Sequence, residues 1–235
     1  MLNELEASKI TKTDFINNNF LDDIKNLYHS DILTRLNFHY YTPDTFNTKF
    51  SDGYSTSLSL FHLNVRSLNK NSEELVQYIS CLNFSFDILV LSEIWTYNID
   101  LFHDLFPDNS FYYNLPTISK VGGVGIYVKS SFPHSVIDNY RIKSDDECQI
   151  ENLWLEISKD QNKYIIGGIY RHPGNKITYF TDKLEKKTLT LISNQKLPCF
   201  IAGDMNIDLK KFAVHKDTRT YLDSLITNNF PPSEY

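Results

Sequence analysis

Five side chains in this 235-residue chain have the types and spacing of a phosphoester-cleaving centre: Asn64, Glu93, Tyr170, Asp204 and Asn206. Each follows or closes a run of apolar residues. Asn64 sits in F-H-L-N-V-R-S-L and Glu93 in L-V-L-S-E-I-W. Tyr170 and Arg171 sit in G-G-I-Y-R-H-P-G, and Asp204 and Asn206 in F-I-A-G-D-M-N-I-D. Magnesium is a hard cation that commonly takes one or two protein carboxylates and leaves its other positions to water and phosphate. Glu93 is the candidate metal ligand, and a metal there would polarise a phosphoryl oxygen and stabilise the leaving group. Asp204 is a candidate to orient or deprotonate the attacking water. Asn64 and Asn206 can hydrogen-bond phosphate, or fix a carboxylate without adding charge. The Tyr170 hydroxyl can donate to a phosphate oxygen as charge develops. Each residue alone also has a plainer reading. A carboxylate after a buried strand is often a turn residue, and G-D-x-N makes a good turn because Gly and Asn tolerate positive φ. His172 and Pro173 read as turn formers. G-G-V-G lacks the Lys-Ser/Thr of a phosphate loop and runs into a strand, so it reads as a hairpin feature.

These residues need strands that end together. Alternation over Leu58–Arg66 predicts a strand. N-S-E-E at Asn71–Glu74 resembles a helix cap with an acid three residues on, and Leu75, Val76, Ile79 and Leu82 then line one helical face. The apolar run F-D-I-L-V-L at 86–91 predicts a strand buried on both faces. Further strands are expected over Gly122–Val128, Leu153–Ile157, Tyr164–Tyr170 and from Phe200 to Ala202. A helix is expected over Ile177–Asn194, with Phe180, Leu184 and Leu191 on one face, and another after Asp217. Several strands in series with few helices predict an α+β sandwich with helices outside. Residues 1–56 read as an N-terminal extension: a short helix through Ile16, Phe20, Ile24 and Leu27, then a linker broken by Pro43 and Gly53. Residues 57–235 read as the domain.

The formal charge of −6 weighs against a broad electrostatic nucleic-acid binder. A bound cation reverses the local sign, so overall acidity leaves a phosphate substrate open. Lys183, Lys186 and Lys187 read as a solvated helix face. Cys81, Cys148 and Cys199 are odd in number and far apart, which implies free thiols rather than a disulfide framework or a zinc site. The N-terminus lacks a signal-peptide pattern. No run reaches the apolar length of about 18 residues of a membrane span. An intracellular protein without a membrane partner is the expectation.

In order, the segments H-L-N-V-R-S-L, D-I-L-V-L-S-E-I-W, G-G-V-G-I-Y-V, G-G-I-Y-R-H-P-G and F-I-A-G-D-M-N-I-D resemble the endonuclease/exonuclease/phosphatase superfamily. Within it they are most similar to the endonuclease domains of non-LTR retrotransposons, over about Leu58 to Phe230. The resemblance implies a four-layer α/β sandwich of the deoxyribonuclease-like type. It also implies a Mg2+ site (Mn2+ as an alternative), DNA as the target, a reverse-transcriptase region in the full-length protein, and nuclear access. It puts the family's metal-binding Glu on Glu93, its first-strand Asn on Asn64, its Tyr on Tyr170, and its G-D-x-N pair on Asp204 and Asn206. Where AP endonucleases carry an Asp two residues after the first-strand Asn, this chain has Arg66, which agrees with the retrotransposon branch. The family's later Asp and its Ser-Asp-His-like motif have no counterpart before Tyr235. The expectation is therefore a domain incomplete at its C-terminus, with impaired cleavage. Two alternatives stand beside it: a phosphatase of the same fold acting on inositol phosphates or lipid head groups, and a catalytically inert binding or degenerate fragment.

Overall fold

Alternating apolar residues from eight strands bury two sheet faces against each other in the computed structural model, which describes residues 41–50, 58–96, 98–116 and 120–230. The first sheet holds β1 (Leu60–Asn64), β2 (Ile88–Ser92), β3 (Asn109–Asn114) and β4 (Val124–Lys129) in the order β1-β2-β4-β3. The second holds β5 (His134–Val136), β6 (Ile150–Lys159), β7 (Asn162–Arg171) and β8 (Cys199–Asp204) in sequence order. Short helix α1 (Pro43–Phe50) precedes the first sheet, and α2 (Leu68–Cys81) crosses from β1 to β2. Between β7 and β8, α3 (Ile177–Leu184) runs through a π-helical turn (Glu185–Leu189) into α4 (Thr190–Ser193), and α5 (Lys216–Thr227) follows β8.

Period-two burial explains the layering. Ile88, Val90, Val124, Ile126 and Val128 of the first sheet meet Leu153, Leu155, Ile157, Ile166 and Ala202 of the second. The intervening residues point outward. Leu89, Leu91 and Tyr127 pack with Leu68 and Leu75 of α2. Trp154, Ile165 and Ile169 pack under Phe180, Leu184, Ile192, Tyr221 and Leu225. Both sheets are covered by helices, which makes the four-layer α/β sandwich.

Two parallel pairings set the position of the site. β1 lies parallel to β2, with Asn64 opposite Ser92, so Asn64 and Glu93 leave the first sheet at the same end. β7 lies parallel to β8, with Tyr170 opposite Asp204, so these two leave the second sheet together. At that end Asn114 Nδ2 donates to the Asn152 carbonyl at 2.8 Å and ties β3 to β6. The opposite end is closed by Asp87. Its carboxylate accepts from the Ser59 N–H at 2.9 Å, from Lys129 Nζ at 2.9 Å at the end of β4, and from Lys159 Nζ at 2.8 Å at the end of β6.

Some elements differ from the sequence reading. β3 and β5 have no counterpart in it, because N-S-F-Y-Y-N and H-S-V are too short and polar to show a clear period. The second helix begins at Leu68, ahead of Asn71. Asn71 Nδ2 instead donates to the Val65 and Arg66 carbonyls at 2.8 and 3.2 Å, bracing the exit from β1. Leu191 is 41% exposed, whereas Leu189 and Ile192 are buried. The π turn inserts a residue into the helical period, which rotates Leu191 off the face that Phe180 and Leu184 define. Within the stretch read as a linker, α1 packs on the sandwich: Asn47 Nδ2 donates to the Cys81 carbonyl at 2.8 Å, and the Phe46 ring lies 5.7 Å from Phe84. The helix expected around Ile16–Leu27 lies outside the described residues. No described helix is long and apolar enough to cross a membrane. All three cysteines are free.

Burial acts to raise the Asp87 pKa, but hydrogen bonds from Lys159, Ser59 and Lys129 outweigh it and hold the carboxyl below the usual Asp value of 3.8. A carboxyl held low in the folded state contributes stability above the unfolded-state pKa and loses it as pH falls through the folded value. Urea unfolding should therefore show stability lost below about pH 4, and an Asp87→Asn variant should lack that component. The same variant should be destabilised at neutral pH by about 1–3 kcal/mol, because the hydrogen bonds that Lys129 and Lys159 make to an ionised carboxylate become bonds to a neutral amide.

Candidate active site

The end of the sandwich opposite Asp87 gathers all five residues singled out from the sequence. Asn64 is the link between the sheets. Its Nδ2 donates to Glu93 Oε1 at 2.7 Å and to Asp204 Oδ2 at 2.8 Å. One amide thus satisfies a carboxylate from each sheet and holds both at one point without adding charge. Asn64 Oδ1 accepts from the Arg66 N–H at 3.3 Å, which fixes the orientation of the side-chain amide. Asp204 is held a second time by the Asn206 N–H, at 2.9 Å from Oδ1.

The backbone around the site is unusual. Arg66, Ser67, Glu93, Trp95 and Asn206 all have positive φ, Glu93 at 56° and Asn206 at 51°. Such conformations cost roughly 1–3 kcal/mol each and persist only where neighbours over-determine them. Here the neighbours are identifiable. The Glu93 carbonyl accepts from the Ser67 N–H at 2.8 Å, and the Trp95 N–H donates to the Gly122 carbonyl at 3.0 Å. The end of β8 depends on Gly203, whose φ is 148° and where a Cβ would fall 1.8 Å from the Ile169 carbonyl oxygen. Only glycine lets β8 approach β7 this closely, and that approach brings Asp204 to Tyr170.

Tyr170 is buried, and its hydroxyl is held well above the ordinary phenol pKa. Burial is the main cause, the charges of Glu93, Asp204 and Glu151 add to it, and a side-chain hydrogen bond with Asn206 opposes it. The group is a neutral O–H donor across the physiological range. His62, in the middle of β1, is pushed down to about 4 by burial, against the pull of Asp204, and its Nε2 lies 3.1 Å from Ser92 Oγ. It is a neutral imidazole at neutral pH.

Arg171 and Asn206 have structural work at this rim. The buried guanidinium donates to the Met205, Asn206 and Asn175 carbonyls at 2.5, 2.6 and 2.5 Å. Asn206 Nδ2 returns a bond to the Arg171 carbonyl at 2.7 Å. Of the two roles open to the asparagines, the geometry realises carboxylate fixation for Asn64. The Asn206 side chain instead holds the β7–β8 junction.

Sequence reasoning missed Glu151. It is buried at the start of β6, in register with Tyr170. Its Oε2 lies 2.8 Å from His172 Nε2 and accepts from the Gly123 N–H at 3.2 Å. The His172 ring meets the Tyr170 ring edge to face, with centroids 4.9 Å apart. Gly122, at φ 115°, leaves room for the pair, since a Cβ there would lie 2.7 Å from Glu151 Oε2 and 2.8 Å from His172 Nε2. Glu151 therefore braces both Tyr170 and the loop that holds Trp95 beside Glu93. A Glu at an otherwise apolar position entering a strand was the available signal. His172 does sit in a turn, in agreement with the sequence reading, but its ring is part of the site's support.

The donor set fits a hard divalent cation. Glu93 and Asp204 are oxygen donors held together by a neutral amide, and magnesium needs only one or two such carboxylates when water and phosphate complete its sphere. Among the described residues no group of three or more His, Cys, Asp and Glu side chains gathers to form a denser metal cluster.

The fold is the two-sheet sandwich of a hydrolase family. The model of the endonuclease/exonuclease/phosphatase family matches residues 45–232, and the chain belongs to that family. The fold is similar to that of the AP endonuclease LMAP from Leishmania major, at 15% identity and a TM-score of 0.57, over 83% of this chain and 72% of that one. It is also similar to the endonuclease domain of TRAS1, a telomere-specific non-LTR retrotransposon, at 9% identity and a TM-score of 0.54, over 73% of this chain and 72% of that one. A third relative is an endonuclease/exonuclease/phosphatase family protein from Bacteroides thetaiotaomicron, at 14% identity and a TM-score of 0.53, over 72% and 67% of the two chains. No curated protein matches the chain.

Glu151→Ala should lower unfolding free energy by about 1–3 kcal/mol, the cost of leaving buried hydrogen-bonding groups unsatisfied. Glu151→Gln, which keeps the shape and an acceptor for the Gly123 N–H, should recover most of that loss in urea titrations. Equal loss in both variants would show that the carboxylate charge, rather than the hydrogen bonds, supports the rim.

Proposed function

We propose that this chain is a divalent-metal-dependent DNA endonuclease of the retrotransposon type, hydrolysing phosphodiester bonds at the rim where its two sheets meet. The observation that carries this reading is the Asn64 amide shared between Glu93 and Asp204, one carboxylate from each sheet. Glu93 would hold Mg2+, with Mn2+ able to replace it, and the bound ion supplies Lewis-acid polarisation of the phosphoryl oxygen and neutralises charge on the leaving group. Asp204, locked by Asn64 and by the Asn206 N–H, orients the attacking water and accepts its proton. Tyr170, kept neutral by burial, donates its O–H to a non-bridging phosphate oxygen as negative charge builds there. Glu151, His172 and Arg171 do not touch substrate in this scheme; they hold Tyr170 and the Asp204 turn in place. His62, in β1, is made a poor proton donor at neutral pH by burial. In this scheme water protonates the leaving oxygen. On this reading the protein acts on chromosomal DNA, needs access to the nucleus, and works together with a reverse-transcriptase region of its full-length form.

Nicking of supercoiled plasmid in the presence of magnesium is the direct test. Glu93→Ala and Asn64→Ala should each reduce the rate by roughly 10²-fold or more, the scale seen when a transition-state electrostatic partner is removed. Glu93→Ala/Asp204→Ala should be little slower than the worse single variant, because members of one catalytic unit are strongly non-additive. Release of inorganic phosphate from inositol phosphates without plasmid nicking would move the reading to a phosphatase. Absence of both activities, with no magnesium-dependent rise in melting temperature, would leave an inert fragment.

A further inference from the structure

Beside the rim lies a cavity of about 980 Å³ whose walls are the end of β3, the segment entering β6, and the outer face of the α3–α4 helix. Its lining concentrates positive charge in a chain that is acidic overall. Arg141 and Lys143 stand on one wall, and Lys183, Lys186 and Lys187 on the other. The acids in the lining are Asp138, Asp182 and Glu151. Glu151 is buried against His172, so five cations face two solvent-accessible carboxylates. Arg141 pairs with Asp138, Lys186 with Asp182, and Lys183 with Asp145 just outside the cavity. Among the described residues Lys143 and Lys187 form no ion pair, and both are exposed.

The two basic walls are fixed relative to each other. The π turn (Glu185–Leu189) places Lys186 and Lys187 while burying Thr188 and Leu189. The Thr188 hydroxyl, fully buried, donates to the Tyr140 carbonyl at 3.0 Å, which fastens the turn carrying Lys187 to the segment carrying Arg141 and Lys143. π turns inside α-helices frequently occur at functional sites. The cavity opens next to the rim, because Glu151 on its inner wall is in register with Tyr170 on the neighbouring strand, and neighbouring strands are about 4.8 Å apart.

We propose that this groove holds the phosphate backbone of the DNA strand that leaves the rim, with Lys143 and Lys187 as its unpaired phosphate contacts. The proposal rests on the DNA-cleaving reading of the rim and adds to it the path of the strand. Lysine is a mobile point charge on a flexible stem, and backbone contacts of this kind fix register without reading sequence. The groove thus supplies the positive surface that the chain's net charge hides, and it gives the lysines of the α3–α4 helix a role beyond solvation.

The experiment is equilibrium binding of short labelled DNA duplexes of two unrelated sequences, by fluorescence anisotropy in EDTA over a salt series. In EDTA the measurement does not depend on cleavage. The native chain should bind both duplexes with affinity that falls as salt rises. Lys143→Gln/Lys187→Gln should weaken both equally and make the log–log salt slope shallower by about 2, near one for each phosphate no longer neutralised. Lys143→Arg/Lys187→Arg should keep the native slope, which separates lost charge from lost fold. Lys163→Gln/Lys196→Gln, at the far end of the second sheet, should leave the slope unchanged. A native slope in the Lys143→Gln/Lys187→Gln variant, or no binding by the native chain at low salt, overturns the proposal. Loss of slope without any magnesium-dependent nicking by the native chain would keep the groove and reject the catalytic reading of the rim. Nicking with an unchanged slope would do the reverse.

Discussion

Two carboxylates from different sheets cannot be brought together at the end of a sandwich without something between them, and in this protein that something is the amide of Asn64. Each N–H of its Nδ2 is directed at one carboxylate oxygen. A lysine in that place would also neutralise the pair, but it would add its own charge to the space between them. A neutral bridge keeps the local potential negative while tolerating the close approach. The tolerance is local and geometric, since the hydrogen bonds to these charged oxygens are short and come from groups fixed by backbone contacts.

Much of the surrounding structure holds that bridge in place. The two parallel pairings, β1 with β2 and β7 with β8, deliver the four relevant strand ends to one edge. The sheets would slide or splay if they met only through apolar contacts, because burial is non-directional. Polar ties at both ends prevent it: Asn64 to Asp204 and Asn114 to Asn152 at the rim, and Asp87 to Lys159 at the base. The base tie is an ion pair on a low-accessibility acid, whereas the rim tie is neutral-to-charged. That asymmetry leaves net negative charge at the rim and cancels it at the base.

The rim also concentrates backbone strain. Glu93, Trp95, Arg66 and Ser67 cross between the first sheet and its loops with positive φ. The Gly122–Gly123 segment, backed by Glu151 and His172, accepts the hydrogen bonds that make this conformation the stable one. The chain's most distinctive glycines thus serve the acids: Gly203 lets Asp204 reach Tyr170, and Gly122 makes room for the pair that stiffens the Glu93 loop. The G-G-V-G segment is a hairpin element, and the Gly122 and Gly123 carbonyls and the Gly123 N–H are committed to protein partners.

The sequence alone determined the layer architecture and five of the rim residues. Period-two runs such as V-G-I-Y-V and N-L-W-L-E-I specify which residues face the core, and a polar residue ending an apolar strand stands out against that background. Asn64, Glu93, Tyr170, Asp204 and Asn206 were legible for this reason. Tertiary structure decided the pairings between distant segments. Nothing local says that Asn64 reaches both Glu93 and Asp204, that Arg171 is consumed by the carbonyls of Met205 and Asn206, or that Glu151 backs His172. Each depends on which strands lie side by side and in what register. It also decided the phase of the α3–α4 helix. An α-helical period extrapolated from Phe180 and Leu184 puts Leu191 in the core, but the buried bond from Thr188 to Tyr140 accompanies a π turn that exposes Leu191 and sets Lys187 across from Lys143. Local pattern fixes which face of an element is apolar. Only packing against the rest of the chain fixes where that pattern slips by one residue, and which polar groups meet as a result.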